Sequence, residues 1–211
     1  GETMLVSANA PGLGDWELLY LANKKYSNTT GSPRSEPLNV EFIEPFFHLR
    51  SFPGLSKALI GVQVLSPQVF HKRSFIKNKS PDEFTYEPED FVRLTRNQGV
   101  LAYGFGKVPT SETDTSPYLW IEQDSFVIRR LRMPSTLDIV ADEYADYAGE
   151  LHFPKVRRIT FDKMTALIRV KDIKPINEKT LQLSPARLVK KSPLNGTSAQ
   201  MDLLTFYKRF R

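Results

Sequence analysis

The sequence predicts a mainly β protein of the α+β class: a single curved antiparallel β-sheet, a half-barrel, with a few helices covering its concave face. Three observations lead there. Apolar and polar residues alternate at period two through the series from Tyr118 to Lys174, the mark of half-buried strands joined by short links. The 15 prolines and 11 glycines are scattered along the 211 residues, which cuts the chain into short segments and disfavours a long-helix bundle. With 40% hydrophobic and 25% charged residues there is enough apolar material for a core, and sandwiches and barrels of this length commonly fold as one unit, so 1–211 reads as a single domain.

Taken in order, Met4 to Ala8 and Trp16 to Leu21 flank the turn Pro11-Gly12-Leu13-Gly14 and predict a hairpin. Ser27 to Pro37 is rich in Ser, Thr, Pro and Gly and reads as a loop, and Leu38 to Phe42 alternates as a strand would. Pro53 to Leu59 suits either a short helix or a lid-like segment, and Gln68 to Pro81 is basic and aromatic. Pro88-Glu89-Asp90, followed by Phe91-Val92-Arg93-Leu94, predicts a short helix that ends before Gly99, because proline and acids favour a helix N-terminus. Val100 to Phe105 is a strand, Thr110 to Ser116 a loop, and Tyr118–Ile121 with Phe126–Leu131 a hairpin. The alternation of Leu137, Ile139 and Ala141, then of Ile159, Phe161, Met164, Ala166, Ile168 and Val170, adds further strands. Thr197 to Phe210 carries Met201, Leu204 and Tyr207 at helical spacing, a closing amphipathic helix.

Composition and motifs narrow the function classes. No apolar run reaches the roughly 18 residues of a membrane-spanning helix. Gly1-Glu2-Thr3 does not look like a secretory leader, so an exported protein would already have lost its signal. The absence of cysteine excludes disulfides, thiolate metal sites and a cysteine nucleophile, and leaves cytoplasm and bacterial periplasm both open. Asn28, Asn78 and Asn195 stand in glycosylation sequons, which chance also produces. The formal charge of +5 is spread over short basic groups between acids, a solvated mixed surface or a contact for anionic head groups.

His48, His71 and His152 lack metal-site spacing, no Gly-x-Ser-x-Gly elbow exists, and Gly104-Phe105-Gly106 lacks the remainder of a phosphate loop. Asp138, Asp142, Glu143 and Asp146 concentrate carboxylates where paired acids could do acid–base work or hold calcium. On a strand they read as a solvated edge before they read as a calcium or acid–base site. The aromatic residues on strands, with basic neighbours, could stack single-stranded nucleic acid, but no RNA-recognition signature accompanies them and a core role is the commoner use. No enzyme, cofactor, metal or nucleic-acid partner is expected.

A longer pattern runs from Arg93-Leu94 through Gly99-Val100-Leu101-Ala102-Tyr103-Gly104 and Pro117-Tyr118-Leu119-Trp120-Ile121-Glu122-Gln123-Asp124-Ser125-Phe126 to Arg130-Leu131. It continues with Asp146-Tyr147, the Gly149 turn, Phe153-Pro154-Lys155-Val156 and Val170-x-Asp172-Ile173-x-x-Ile176-Asn177. This order resembles the LolA/LolB-like superfamily of bacterial outer-membrane lipoprotein-sorting and related envelope proteins, over roughly Leu94 to Asn177. The resemblance implies a half-barrel closed by helices, a cavity for acyl chains, and a periplasmic home with possible outer-membrane anchoring through a removed N-terminal segment. The chain departs from the pattern in Phe46 to Pro81, which is proline-broken where the carriers have lid helices, and no position matches the arginine those carriers use.

The expectation is therefore a non-enzymatic, monomeric envelope protein that binds a lipid or lipoprotein acyl chain, with an envelope protein or membrane surface as partner. The expected lining is Trp16, Leu18, Tyr20, Trp120, Phe126, Ile128, Leu137, Ile139, Ile159, Phe161, Ile168 and Val170, each on the apolar side of its strand. A one-residue slip would move a strand's whole set to the other face. The alternative is a structural or adaptor protein of the envelope in which the same residues form a self-filled core without a lipid ligand.

Overall fold

The computed structural model describes residues 3–10, 14–28, 34–49, 52–67, 92–107, 111, 114–148, 150–175, 184–188 and 198–211. Mainly antiparallel β-structure with a few helices is observed, and the strands are divided between two sheets, of four and seven strands, where one sheet was expected. Period-two alternation identifies strands but carries no information about which of them pair. The chain, read from sequence as one domain, separates into two compact units, Gly1–Leu49 with Pro175–Arg211 and Arg50–Lys174.

The first unit holds β1 (Met4–Ala10), β2 (Gly14–Leu21), β3 (Lys24–Ser27) and β4 (Arg34–Pro37), hydrogen-bonded in that order. The expected β1–β2 hairpin forms, in a register that sets Met4 opposite Tyr20 and Ala10 opposite Gly14. Ala22 and Asn23, both at positive φ, make the two-residue turn into β3, a geometry that matches the twist of the flanking strands. Helix α1 (Ile43–Phe47), a 3-10 turn (Pro185–Arg187) and the closing amphipathic helix α3 (Ser198–Phe210) complete the unit.

Two expectations fail here. Leu38 to Phe42 is a turn: the Glu41 N–H donates to Asn39 Oδ1 at 3.0 Å and the Phe42 N–H to the Asn39 carbonyl at 3.1 Å. Asparagine offers the backbone a local partner that outcompetes a strand ladder. The segment 27–37, read as a loop, contributes the end of β3 and the whole of β4, which is exposed along its length and so carries no apolar alternation.

The second unit opens with helix α2 (Phe52–Gly61), which settles the choice left open at Pro53–Leu59. It continues with β5 (Val92–Asn97), β6 (Val100–Gly106), β7 (Tyr118–Glu122), β8 (Ile128–Arg132), β9 (Asp138–Tyr147), β10 (Leu151–Phe161) and β11 (Met164–Arg169). Spatial order equals chain order, an antiparallel meander. Its first strand corrects the helix expected at 88–94. Val92–Asn97 pairs in register with β6 through a turn of Gln98 and Gly99 at positive φ, while 88–91 lie outside the described residues, as does the basic and aromatic 68–81. Proline and acids mark a helix start only where the following residues lack a better partner, and here a neighbouring strand supplies one.

Candidate functional site

Cross-strand register assigns every strand residue of the second unit to one of two faces. One row crosses all seven strands as Val92, Phe105, Leu119, Leu131, Ile139, Ile159 and Ala166. The adjacent row, on the opposite face, runs Arg93, Gly104, Trp120, Arg130, Val140, Arg158 and Leu167. The first row is thus apolar from edge to edge, and the second carries three arginines and a tryptophan.

The apolar face differs along its width. At its centre Leu131, Leu137 and Ile139 are 0% exposed, and Leu119, Ile159 and Phe153 are nearly so. The protein's own atoms cover this centre, so no open groove for an acyl chain runs across it. Towards β5 and β6 the face opens: Leu94 is 57% exposed and Leu101 38%. Beside them Phe126, in the β7–β8 turn at φ +53°, is 72% exposed and stacks on Tyr103 with ring centroids 6.2 Å apart. The apolar face also carries a buried cation, Arg157, opposite Ala141 and Ile168 with its guanidinium 5.3 Å from the Phe153 ring.

On the other face Trp120 is buried, with the guanidinium groups of Arg130 and Arg132 at 5.2 and 5.4 Å from its ring. Arg130 donates to both Asp138 carboxylate oxygens, at 2.8 and 2.5 Å, and these hydrogen bonds hold its proton more firmly than usual. Arg132 donates to the Asp114 carbonyl at 2.5 Å; burial, and then the neighbouring Arg130 charge, lower its proton affinity. Tyr118 lies across Gly104, where a Cβ would come within 2.1 Å of the phenol oxygen. The absence of a side chain at Gly104 is what admits the ring. Burial pushes the Tyr118 hydroxyl above its ordinary pKa, against the pull of the Arg93 charge.

The carboxylate concentration of β9 is divided among separate partners. Asp138 pairs with Arg130, Asp142 stands 3.8 Å from Arg129, and Asp146 meets His152 Nδ1 at 2.7 Å. Among the described residues no three His, Asp or Glu side chains gather as a metal site would require. The arrangement offers apolar contact on one face and paired positive charge on the other.

The twelve expected lining residues are divided between the two units, three in the first and nine in the second. Trp16, Leu18 and Tyr20 are buried in β2 of the first unit, where Leu18 and Tyr20 pack with Phe42. Trp120 points to the arginine face, and Phe126 lies in a turn outside any strand. Ile128 opens β8 opposite Ile121 and is half-buried. Leu137, just before β9, is fully buried; Ile139, Ile159 and Phe161 share the apolar face with Ile168, which is half-buried. Val170, just past β11, donates its N–H to the Lys155 carbonyl at 2.8 Å. The misplacement of Trp120 has a physical source: in Tyr118-Leu119-Trp120-Ile121 both parities are apolar, and the pairing with β8 shifts register between Trp120 and Ile121, so alternation alone cannot assign the ring. Leu94 was missed because β5 was read as a helix, whereas Leu101 lies in a stretch correctly read as a strand and was left out of the lining because apolar residues of both parities stand in Val100-Leu101-Ala102-Tyr103.

No family model, no curated protein and no solved structure matches this chain.

Proposed function

We propose that the protein is a non-enzymatic cell-envelope protein of the periplasm that binds a hydrophobic ligand, a lipid or lipoprotein acyl chain, along the apolar face of the seven-stranded sheet at its β5–β6 end. The observation that carries this reading is the continuation of the apolar face beyond its closed centre to Leu94 and Leu101, which stand exposed beside Phe126. An acyl chain laid over such a surface gains about 0.8 kcal/mol for each CH₂ it buries, enough for reversible carriage without covalent chemistry. The envelope setting rests on the resemblance of Leu94 to Asn177 to the lipoprotein-sorting superfamily.

A second reading is supported by a different observation. Full burial of Leu131, Leu137 and Ile139 is what a structural or adaptor protein with a self-filled core would present. Native mass spectrometry of protein purified from its own host separates the two. A co-purifying lipid mass supports carriage; an apo mass together with no uptake of a fluorescent fatty acid supports the adaptor.

A further inference from the structure

The β5–β6 hairpin, 92–107, carries Arg93, Arg96 and Lys107 and no carboxylate. Of the large apolar side chains exposed among the described residues of the second unit, Leu94, Leu101 and Phe126 stand at this end of the sheet, and Leu167 stands on β11 at the other. On the hairpin's apolar side Arg96 stands directly opposite Leu101, and Leu94 opposite Tyr103. Phe126 is held over this corner by its stacking on Tyr103 and by the hydrogen bond from the Gln123 N–H to the Leu101 carbonyl, 3.1 Å, which ties the β7–β8 turn to β6. The one acid at the tip of that turn is Asp124, since Glu122 is engaged by Arg129 at 2.7 Å.

We propose that this corner docks on the surface of an anionic phospholipid bilayer. Leu94, Leu101 and Phe126 would enter the boundary between head groups and acyl chains, where large exposed apolar side chains lose their contact with water. Arg96 beside Leu101 keeps its charge at the level of the lipid phosphates while its stem lies along the apolar surface, and Lys107 at the end of β6 adds to the attraction, with Arg93 on the other face of the edge strand acting only at longer range. A nucleic acid fits less well: Trp120 and Tyr118, the rings nearest the arginine row, are buried and offer no stacking platform, and two leucines contribute nothing to phosphate recognition. The inference rests on the lipid-binding reading only for its purpose, because docking would bring the open end of the apolar face against the source of its ligand.

The test is a vesicle-binding titration of the whole chain, read by the emission of Phe126→Trp. Phosphatidylcholine vesicles containing phosphatidylglycerol should shift that emission to the blue, and pure phosphatidylcholine should not. Added salt should weaken the binding. Arg96→Gln with Lys107→Gln should lower affinity by roughly tenfold or more, at about fivefold per cation near the surface. Arg96→Lys with Lys107→Arg keeps the charge and should retain most of the binding. Leu94→Ser with Leu101→Ser should also weaken it, with circular dichroism reporting an intact fold. Failure to bind, equal binding to neutral vesicles, or binding to a single-stranded RNA that competes with vesicles and ignores the leucine changes would each overturn the proposal. Fatty-acid uptake measured without vesicles reports on the ligand reading separately, so either can fail alone.

Discussion

In the first unit Lys25, Glu44 and Arg211 are buried against specific partners, whereas the second unit sets most of its strand arginines on one face of a sheet whose other face is apolar. Lys25 reaches Glu36 at 2.5 Å and the Lys208 carbonyl at 3.1 Å, with its ammonium 4.2 Å from the centre of the Phe42 ring. Arg211 donates through Nε to Glu44 Oε1 at 2.7 Å and through a terminal nitrogen to the Tyr207 hydroxyl at 3.0 Å, and Tyr207 in turn stacks on Trp16 at 4.5 Å. Buried pairs of this kind add little net stability, yet breaking one leaves a desolvated charge. The first unit is therefore sensitive at a few polar positions, and the second at its apolar centre. Each unit contains one of the protein's two tryptophans, Trp16 and Trp120. Replacing either by phenylalanine leaves a reporter for the other unit.

The largest expected effect is in the first unit. Glu44→Ala strands the Arg211 guanidinium and should cost about 3–5 kcal/mol, read as a lowered urea midpoint of the Trp16 emission. Next is Leu131→Ala at the closed centre of the second unit, which should cost about 2–5 kcal/mol through lost burial and a cavity, seen in the Trp120-reported transition. A loss below about 1 kcal/mol would mean that the centre is not tightly filled. Gly104→Ala forces Tyr118 aside and should cost about 1–3 kcal/mol; Gly104→Ala combined with Tyr118→Ala should recover part of that loss, because the clashing ring is gone.

The smallest effect is the pH dependence, and its sign differs between the units. Burial lowers the Lys25 pKa from 10.5, against the raising influence of Glu36, so the folded first unit binds fewer protons than the unfolded chain between the lowered value and 10.5. Its stability should rise as pH climbs through that window, and Lys25→Met should flatten the slope. In the second unit burial raises Tyr118, Tyr144 and Tyr147 above 10.0. The folded state then keeps protons that the unfolded chain gives up, so stability is full below pH 10 and declines above it. Urea midpoints of the two single-tryptophan variants across the alkaline range check both slopes.

The antiparallel meander from Val100 onward was legible because each strand pairs with its neighbour in sequence, so local alternation and short links sufficed to order it. The pairing within β1–β4 was legible only for the first hairpin, since β4 is exposed throughout and has no apolar face to announce it. The candidate site was legible in part. Ile139, Ile159, Phe161 and Ile168 were placed on a common face by parity, as the register confirms. Trp120 was not, because residues of both parities in β7 are apolar. Nor could the sequence separate the filled centre of that face from its open end, because Leu131 and Leu101 are alike as residues and differ only in what the fold lays over them.

That contrast is most directly tested by leucine-methyl NMR during titration with a long-chain fatty acid. The account predicts chemical-shift changes at Leu94 and Leu101 that saturate with the ligand, while Leu131 and Leu137 stay unmoved. Shifts largest at Leu131 and Leu137, or none at any leucine, would contradict it.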